Sequence, residues 1–201
     1  MKTYEVTRIS GKPDWSKIPV AAIDQYLWSD VRSIVPSAQA AWDEEAIYVR
    51  LSAIEPHILR RFTGTLDEVC KDSCLEFFFC PEPEGDRYFN FEANPNGSVY
   101  VGYGRPGSER CRLHRKNFKE IFRITPFDIP GGWGLELRIP VSFVQIFVPG
   151  FSLEAGKVLR ANFFKCGDET QQEHYMAWNR VDVPAPNFHL PEFFGELTLK
   201  A

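Results

Sequence analysis

Two polar residues of the chain, Glu92 and Asn94, have side chains and a spacing that allow both to form hydrogen bonds on one face of a strand. They lie two positions apart at the end of the strand-like run Tyr88 to Ala93, so their side chains point to the same side of that strand. A carboxylate and an amide can each form several hydrogen bonds. The two residues are therefore candidates for polar contacts to a ligand, and a strand face covered by water is the alternative.

An aromatic ring beside a polar group occurs near the end of the chain, where Phe188 and His189 follow the loop Pro184-Ala185-Pro186-Asn187. A flat apolar ring can pack against the C–H groups of a ligand, and a histidine at its edge supplies a hydrogen bond. Phe188 and His189 are therefore predicted to contact the ligand, although Phe188 could instead close the end of the fold. Trp178 is a further candidate, with packing in the core as its alternative role.

Lys165 and Asp168 lie at the end of a strongly apolar run. Burying a lysine is costly unless it is paired with a carboxylate, and Asp168 or Glu76 is the predicted partner. One interpretation is a structural ion pair that holds a loop, and the other is the mouth of a polar pocket that also contains His174 and His189. Six candidates from distant stretches are expected to converge on one end or face of the fold: Glu92, Asn94, Lys165, Asp168, Phe188 and His189.

Catalysis is the alternative to binding, with Glu76 and Glu92 as a pair of carboxylates for glycoside hydrolysis. That reaction needs the two groups roughly 5 to 9 Å apart, a separation that the sequence does not give. Serine hydrolases and zinc proteases are excluded, because neither Gly-x-Ser-x-Gly nor His-Glu-x-x-His occurs. A haem site with Met and His ligands is a further alternative. Met176 is only two residues from His174, however, so the two side chains cannot bind haem from opposite sides.

The cysteines are odd in number and lack the spacing of a metal site. In a chain long enough to build a core, five cysteines predict reduced thiols rather than a disulfide framework. Cys70, Cys74 and Cys80 fall in or beside one predicted strand, whose residues rarely face each other, so no disulfide is expected among them. Structural zinc sites use closely spaced pairs such as Cys-x-x-Cys, which are absent from the sequence. The sequence predicts no zinc site.

Charge and hydropathy narrow the possible partners. The 201 residues include 23 basic and 27 acidic ones, and no basic stripe is visible, so nucleic acid is not expected to bind. No apolar run approaches the ~18 residues that would span a membrane. No apolar segment follows the N-terminal residues as in a signal peptide, which predicts a cytoplasmic location.

Short strand-like runs separated by Pro, Gly and Asp predict the elements that must position these residues. The runs are Thr3 to Ile9, Ala38 to Trp42, Ala46 to Ile54, Leu75 to Cys80, Tyr88 to Ala93, Ser98 to Tyr103, Trp133 to Ile139, Val158 to Lys165, Tyr175 to Trp178 and Glu196 to Leu199. Helical periodicity is weak and is limited to two stretches, Ser142 to Phe147 and Ile18 to Tyr26. Ser142 is the predicted N-cap of the first. The sequence thus predicts an all-β single domain over residues 1–201: a two-sheet antiparallel β-sandwich of the jelly-roll type with little helix.

Three motifs together resemble a known family. The motifs are Asp72-Ser73-Cys74-Leu75-Glu76-Phe77-Phe78-Phe79 followed by Tyr88-Phe89-Asn90-Phe91-Glu92-Ala93-Asn94, then Asn162-Phe163-Phe164-Lys165-Cys166-Gly167-Asp168, and His174-Tyr175-Met176-Ala177-Trp178 with Phe188-His189-Leu190-Pro191-Glu192-Phe193-Phe194-Gly195. In combination they resemble the family 9-like carbohydrate-binding modules, from about Ala38 to the end of the chain.

The resemblance implies a β-sandwich that binds an oligosaccharide or polysaccharide, in the best-known members at the reducing end between two stacked tryptophans. It also implies that the strand with Glu92 and Asn94 supplies polar contacts to the sugar. It also implies that calcium is a possible structural ion. The two positions of the aromatic clamp hold Val69-Cys70 and Phe188 here, so one ring is absent and the other is a phenylalanine. Three hypotheses follow: a non-catalytic carbohydrate-binding module, a sugar-active enzyme, or a sandwich scaffold whose pocket has degenerated.

Overall fold

The computed structural model describes residues 1–201, apart from the side chain of Ser108. In this part of the chain 14 strands occur, and only 8% of the residues are helical. The strands are β1 (Thr3–Arg8), β2 (Ala21–Ala22), β3 (Gln25–Leu27), β4 (Val35–Trp42), β5 (Ala46–Ile54), β6 (Cys74–Cys80), β7 (Tyr88–Ala93), β8 (Val99–Gly104), β9 (Arg110–Leu113), β10 (Thr125–Ile129), β11 (Gly132–Pro140), β12 (Val158–Gly167), β13 (His174–Ala177) and β14 (Gly195–Leu199). The helices are α1 (Phe118–Ile121) and α2 (Val141–Val144), with short 3-10 segments at Val69–Lys71, Gly107–Glu109 and Pro191–Phe193.

The strands form two sheets that are joined through β1. Sheet A runs in the order β14-β12-β6-β7-β8-β9, and β13 and β3 extend it beyond β12. Sheet B runs in the order β10-β11-β5-β4, with β2 added to β4. The first half of β1 pairs with β14 and its second half with β4, both in parallel, whereas the other pairs between described strands are antiparallel. The predicted sandwich with little helix is confirmed, and the parallel pairing of β1 is an addition to it.

The main core lies between the two sheets, as period-two alternation dictates. Leu75, Phe77 and Phe79 of β6 point inward and meet side chains such as Val49 and Leu51 of β5. The intervening residues of β6 are buried as well, on the opposite face. Sheet A is therefore covered on both faces, in agreement with the continuous apolar run in its sequence.

A second apolar cluster covers part of the outer face of sheet A. The segment after β13 folds back across this face and brings Phe188 onto Phe164 of β12. Trp28, which follows β3, packs beside Phe188. Burying an aromatic side chain in this way contributes about 1.5–3 kcal/mol to stability. The cluster therefore anchors two long loops over the sheet that carries most of the candidate binding residues.

The helix predictions need correction. The stretch Ile18 to Tyr26 contains β2 and the first two residues of β3, because pairing with β4 and β13 overrides its weak helical pattern. Helix α2 begins at Val141 after Pro140, and Ser142 lies inside it rather than serving as its N-cap. Helix α1 and the strands β9 and β10 were not predicted.

Candidate functional site

Two buried carboxylates lie side by side on the outer face of sheet A. Glu76 of β6 is paired in register with Glu92 of β7, and Glu92 is paired with Tyr100 of β8. Cross-strand neighbours of this kind have Cβ atoms about 4.5–5.5 Å apart. Glu76 is 2% exposed and Glu92 is 7% exposed, whereas Tyr100 is half-buried. The row thus combines two acidic groups with an aromatic ring that faces solvent.

Burial and mutual repulsion change the protonation of this pair. Burial raises the pKa of Glu92 to about 7, even though Asn90 and Arg110 act in the opposite direction. Burial, followed by the charge of Glu92, raises the pKa of Glu76 well above its ordinary value. Two adjacent carboxyl groups cannot both ionise easily in a poorly hydrated site. Both carboxyl groups are therefore harder to ionise than an exposed glutamate.

A chain of hydrogen bonds holds Glu92 in place. The Asn90 side-chain amide donates to Glu92 Oε1 at 2.6 Å, and the Arg110 guanidinium donates to Asn90 Oδ1. The same guanidinium stacks on the Tyr88 ring, 4.0 Å from its centroid. Gly102 leaves room for this contact, since a Cβ there would collide with both Asn90 and Arg110. Asn90 was not predicted as a site residue, although its spacing of two from Glu92 is the signal that places it on the same face.

The rim of the site is polar and partly exposed. Arg112 of β9 lies over the Tyr100 ring at 5.1 Å, and its charge acts on Glu92. Asp168, just after β12, is half-buried, and burial raises the pKa of its carboxyl group. Cys70 lies beside Asp168. These three side chains are partly or fully exposed groups near the carboxylate pair.

Phe188 lies on the same face but does not offer a free ring. It is only 8% exposed and stacks on Phe164, with ring centroids 4.2 Å apart and planes 14° from parallel. Trp28 packs on it at 5.7 Å, and Tyr175 meets it edge-on at 6.1 Å. Its surroundings therefore agree with the alternative role of closing the fold.

His189 is also on this face and is held by neighbouring rings. Its Nδ1 is 2.9 Å from the Tyr88 hydroxyl, and its ring stacks on Phe78 at 5.2 Å. Burial, helped by the charge of Arg110, lowers the pKa of His189 to about 4. The imidazole is therefore neutral near pH 7 and half-buried beside the rim.

Asn94 requires a correction because its polar atoms are used within the protein. Its Oδ1 accepts hydrogen bonds from the backbone N–H groups of Asn96 and Ser98, both at 3.1 Å. Its Nδ2 donates to Asp72 at 2.9 Å and to the Phe62 carbonyl at 2.8 Å. The side chain shapes the β7–β8 turn, in which φ is +74° at Gly97. Asn94 is thus a structural residue of the hairpin.

The predictions for Lys165 and His174 need correction for the same reason. They point into the sandwich, where Lys165 Nζ donates to Glu55 Oε1 at 3.2 Å and lies 2.7 Å from His174 Nε2. Neither Asp168 nor Glu76 is the partner that the sequence suggested. Glu55 follows β5 and also accepts hydrogen bonds from Ser73 and Trp133, so this buried cluster is internally satisfied.

Trp178 packs in the main core rather than at the candidate site. It is 3% exposed and meets Phe163 edge-on at 5.7 Å. A Cβ at Gly195 would collide with its indole ring, which shows how closely β14 approaches it. Four of the eight predicted residues therefore share the outer face of sheet A: Glu92, Asp168, Phe188 and His189.

The structure also bears on metal binding. Calcium prefers six to eight oxygen ligands, but the buried carboxylates of Asp72 and Glu55 are already neutralised by Arg61 and Lys165. The residues at these two positions therefore do not fit a calcium ion. Among the described side chains, one group of three is compact enough to hold an ion: Cys74, Glu76 and Cys166.

The carboxylate pair is poorly arranged for glycoside hydrolysis. Glu76 and Glu92 project in the same direction from adjacent strands, whereas a glycosidase holds the scissile bond between its two carboxyl groups. A separate open cleft of about 910 Å³ lies on the outer face of sheet B and is lined in part by Trp15, Tyr48 and Arg138. No helix within the described part of the chain is long and apolar enough to cross a membrane.

Comparisons with known proteins extend these observations. A crystal structure of a protein from Bacteroides uniformis, to which carbohydrate binding has been attributed, is 26% identical, with a TM-score of 0.84 over 99% of both chains. A family 9 carbohydrate-binding module from Caldicellulosiruptor kristjanssonii in complex with glucose is 15% identical, with a TM-score of 0.69 over 99% of this chain and 96% of that one. A family 9 module from the same organism in complex with cellotriose is 16% identical, with a TM-score of 0.71 over 99% of this chain and 94% of that one.

No protein of curated function matches the chain. The model of carbohydrate-binding family 9 matches residues 11–199, which is nearly the whole sequence. The chain belongs to carbohydrate-binding family 9.

Proposed function

We propose that the outer face of sheet A binds a terminal sugar of an oligosaccharide or polysaccharide, without cleaving it, around Glu92. The observation that supports this most strongly is the buried Glu76–Glu92 pair beside the solvent-facing ring of Tyr100. Protein sites for sugars combine an apolar surface with a few fixed polar groups, and this row supplies both.

The polar groups around Glu92 suit sugar hydroxyls. Glu92 accepts a hydrogen bond from one hydroxyl group, and Glu76 lies beside it on the adjacent strand. Because Asn90 and Arg110 already hold Glu92, little side-chain entropy is lost when a ligand binds. Arg112 at the rim donates to ring or hydroxyl oxygens.

The aromatic support differs from a two-ring clamp. Val69 is fully buried and Cys70 has no ring, so that side of the site offers no stacking surface. Phe188 is covered by Phe164 and Trp28, so the ring beside the carboxylate pair is that of the half-buried Tyr100, over which Arg112 lies. We therefore expect weaker binding than in a module with two stacked tryptophans.

Isothermal titration calorimetry tests this proposal. Glucose and cellotriose are the first ligands to try, because family 9 modules of similar fold have been solved with them. Cellotriose with a borohydride-reduced end shows whether the reducing end is required. We expect millimolar to micromolar affinity for an unmodified saccharide.

Two variants locate the site. Tyr100→Ala should weaken binding by about 1 kcal/mol through lost ring contact, which is roughly a fivefold loss of affinity. Tyr48→Ala is the matched control, because Tyr48 is a half-buried tyrosine on the outer face of sheet B. Equal effects of the two substitutions would contradict the proposed location.

The degenerate scaffold is the second candidate function. It is favoured by one observation, the occupation of the outer face by Phe188 and its aromatic neighbours. If no heat of binding appears with gluco- and xylo-oligosaccharides at millimolar concentration, this candidate replaces the first.

A further inference from the structure

Three buried metal-binding groups meet beneath the candidate sugar site. Cys74 on β6 is paired in register with Cys166 on β12, and Glu76 follows Cys74 by two positions on the same face. One ligand atom from each of the three lies within 4.8 Å of the others. Cys74, Glu76 and Cys166 are no more than 2% exposed. Distant segments of the chain thus create a group that the short-range spacing rule for zinc overlooks.

We propose that Cys74, Glu76 and Cys166 form a binding site for a thiophilic divalent cation such as Zn²⁺. Two thiolates and one carboxylate are ligands that zinc accepts, whereas calcium and magnesium avoid sulfur. Tetrahedral zinc needs a fourth ligand, and water supplies it in sites with three protein ligands.

The proton balance of binding is straightforward. Three metal–ligand bonds form, and the ligands lose up to three protons to solvent, two from thiols and one from Glu76. The Cys166 thiol donates to Glu76 Oε1 at 2.9 Å, and a bound cation would replace this shared proton. The bound group then carries one net negative charge, since two positive charges offset three negative ones. No oxidant or reductant takes part.

The surroundings favour a cation of this kind. Phe78 and Phe164 belong to the same apolar cluster as Cys74 and Cys166, and this low-dielectric environment strengthens metal–ligand attraction. Cys70 and Asp168 are half-buried beside the group, and the Cys70 carbonyl lies 3.7 Å from Cys166 Sγ. They mark the side from which an ion can enter.

Cobalt and zinc titrations of the whole chain test the proposal. The protein is first reduced and treated with a chelator, and Co²⁺ is then added while the absorption spectrum is recorded. We expect one equivalent to bind with a thiolate-to-cobalt charge-transfer band, and Zn²⁺ to displace the cobalt and remove the band. Absence of the band would overturn the proposal, because surface carboxylates and histidines bind Co²⁺ without producing it.

Variants identify the ligands. Cys166→Ser should weaken binding by at least about 100-fold, more than the usual loss from changing a residue that merely supports a ligand. Cys111→Ser is the matched control, because Cys111 is an exposed cysteine on β9. Unchanged affinity in Cys166→Ser, or an equal loss in Cys111→Ser, would contradict the assignment.

A labelling experiment covers the case in which Cys166→Ser does not fold. In a urea concentration that makes the buried thiols reactive, one equivalent of Zn²⁺ should slow alkylation of the wild-type chain at Cys74 and Cys166 and leave it fast at Cys111. Equal protection at Cys111, or no protection at Cys74 and Cys166, would refute the site. No saccharide is present, so this result is independent of sugar binding.

Discussion

Replacing Phe188 by alanine separates its two possible roles, support of the fold and contact with a sugar. The ring is 8% exposed, stacks on Phe164 at 4.2 Å and packs on Trp28 at 5.7 Å. Substitutions of buried Phe by Ala cost about 3–5 kcal/mol, and the loop around Phe188 can partly collapse into the space. We therefore expect the free energy of unfolding to fall by about 3 kcal/mol.

Urea denaturation measures this loss. For a chain of this size the slope of unfolding free energy against urea is about 2.5 kcal/mol per molar, so the midpoint should fall by roughly 1.2 M. Phe127→Ala is the control, because Phe127 is a half-exposed ring on β10 and should cost about 1 kcal/mol. A negligible midpoint shift for Phe188→Ala combined with a tenfold loss of sugar affinity would refute the structural role.

Three further substitutions test other parts of the structure. Lys165→Met leaves the buried Glu55 carboxylate unpaired and should lower the free energy of unfolding by about 3–5 kcal/mol in a denaturation experiment. Adding Glu55→Gln to this variant should restore most of the loss, whereas a loss below about 1 kcal/mol for Lys165→Met alone would show that the pair is dispensable. Asn94→Ala removes two acceptor bonds of the β7–β8 turn and should destabilise by about 2–3 kcal/mol without changing the sugar affinity of the folded protein, so a specific loss of affinity would return Asn94 to the site. His189 has a pKa of about 4 in the folded chain, below its unfolded value, so the stability that it contributes is complete above pH 6.5 and is lost as pH falls toward 4. Allowing for partial exposure, the loss is about 2 kcal/mol, and His189→Asn should show a correspondingly shallower pH dependence of unfolding.

The strands were predictable where the sequence alternates or runs continuously apolar. Leu75 to Cys80 reads as a strand buried on both faces, and β6 has that environment. The short strands β2 and β3 were not predictable, because they exist through pairing with β4 and β13 rather than through their own composition. Local patterns show which residues share a strand face but not which distant strand lies alongside.

The candidate site was predictable to the same extent. The orientation of Glu92 within its strand could be predicted because the strand alternates, and the register with Glu76 shows which face of the sheet it occupies. The partner of Lys165 could not be recognised, since Glu55 comes from a distant loop and the side of β12 that faces the core depends on the whole sandwich. Asn94 was misassigned because a turn, rather than the strand period, governs the direction of its side chain.

A crystal structure of the chain soaked with cellotriose tests the central claim most directly. The proposed function predicts a sugar ring on the outer face of sheet A, with a hydroxyl about 2.5–3.2 Å from the Glu92 carboxylate and the ring against Tyr100. Sugar bound instead in the cleft of sheet B beside Trp15 and Tyr48, with the Glu92 face empty, would contradict the account.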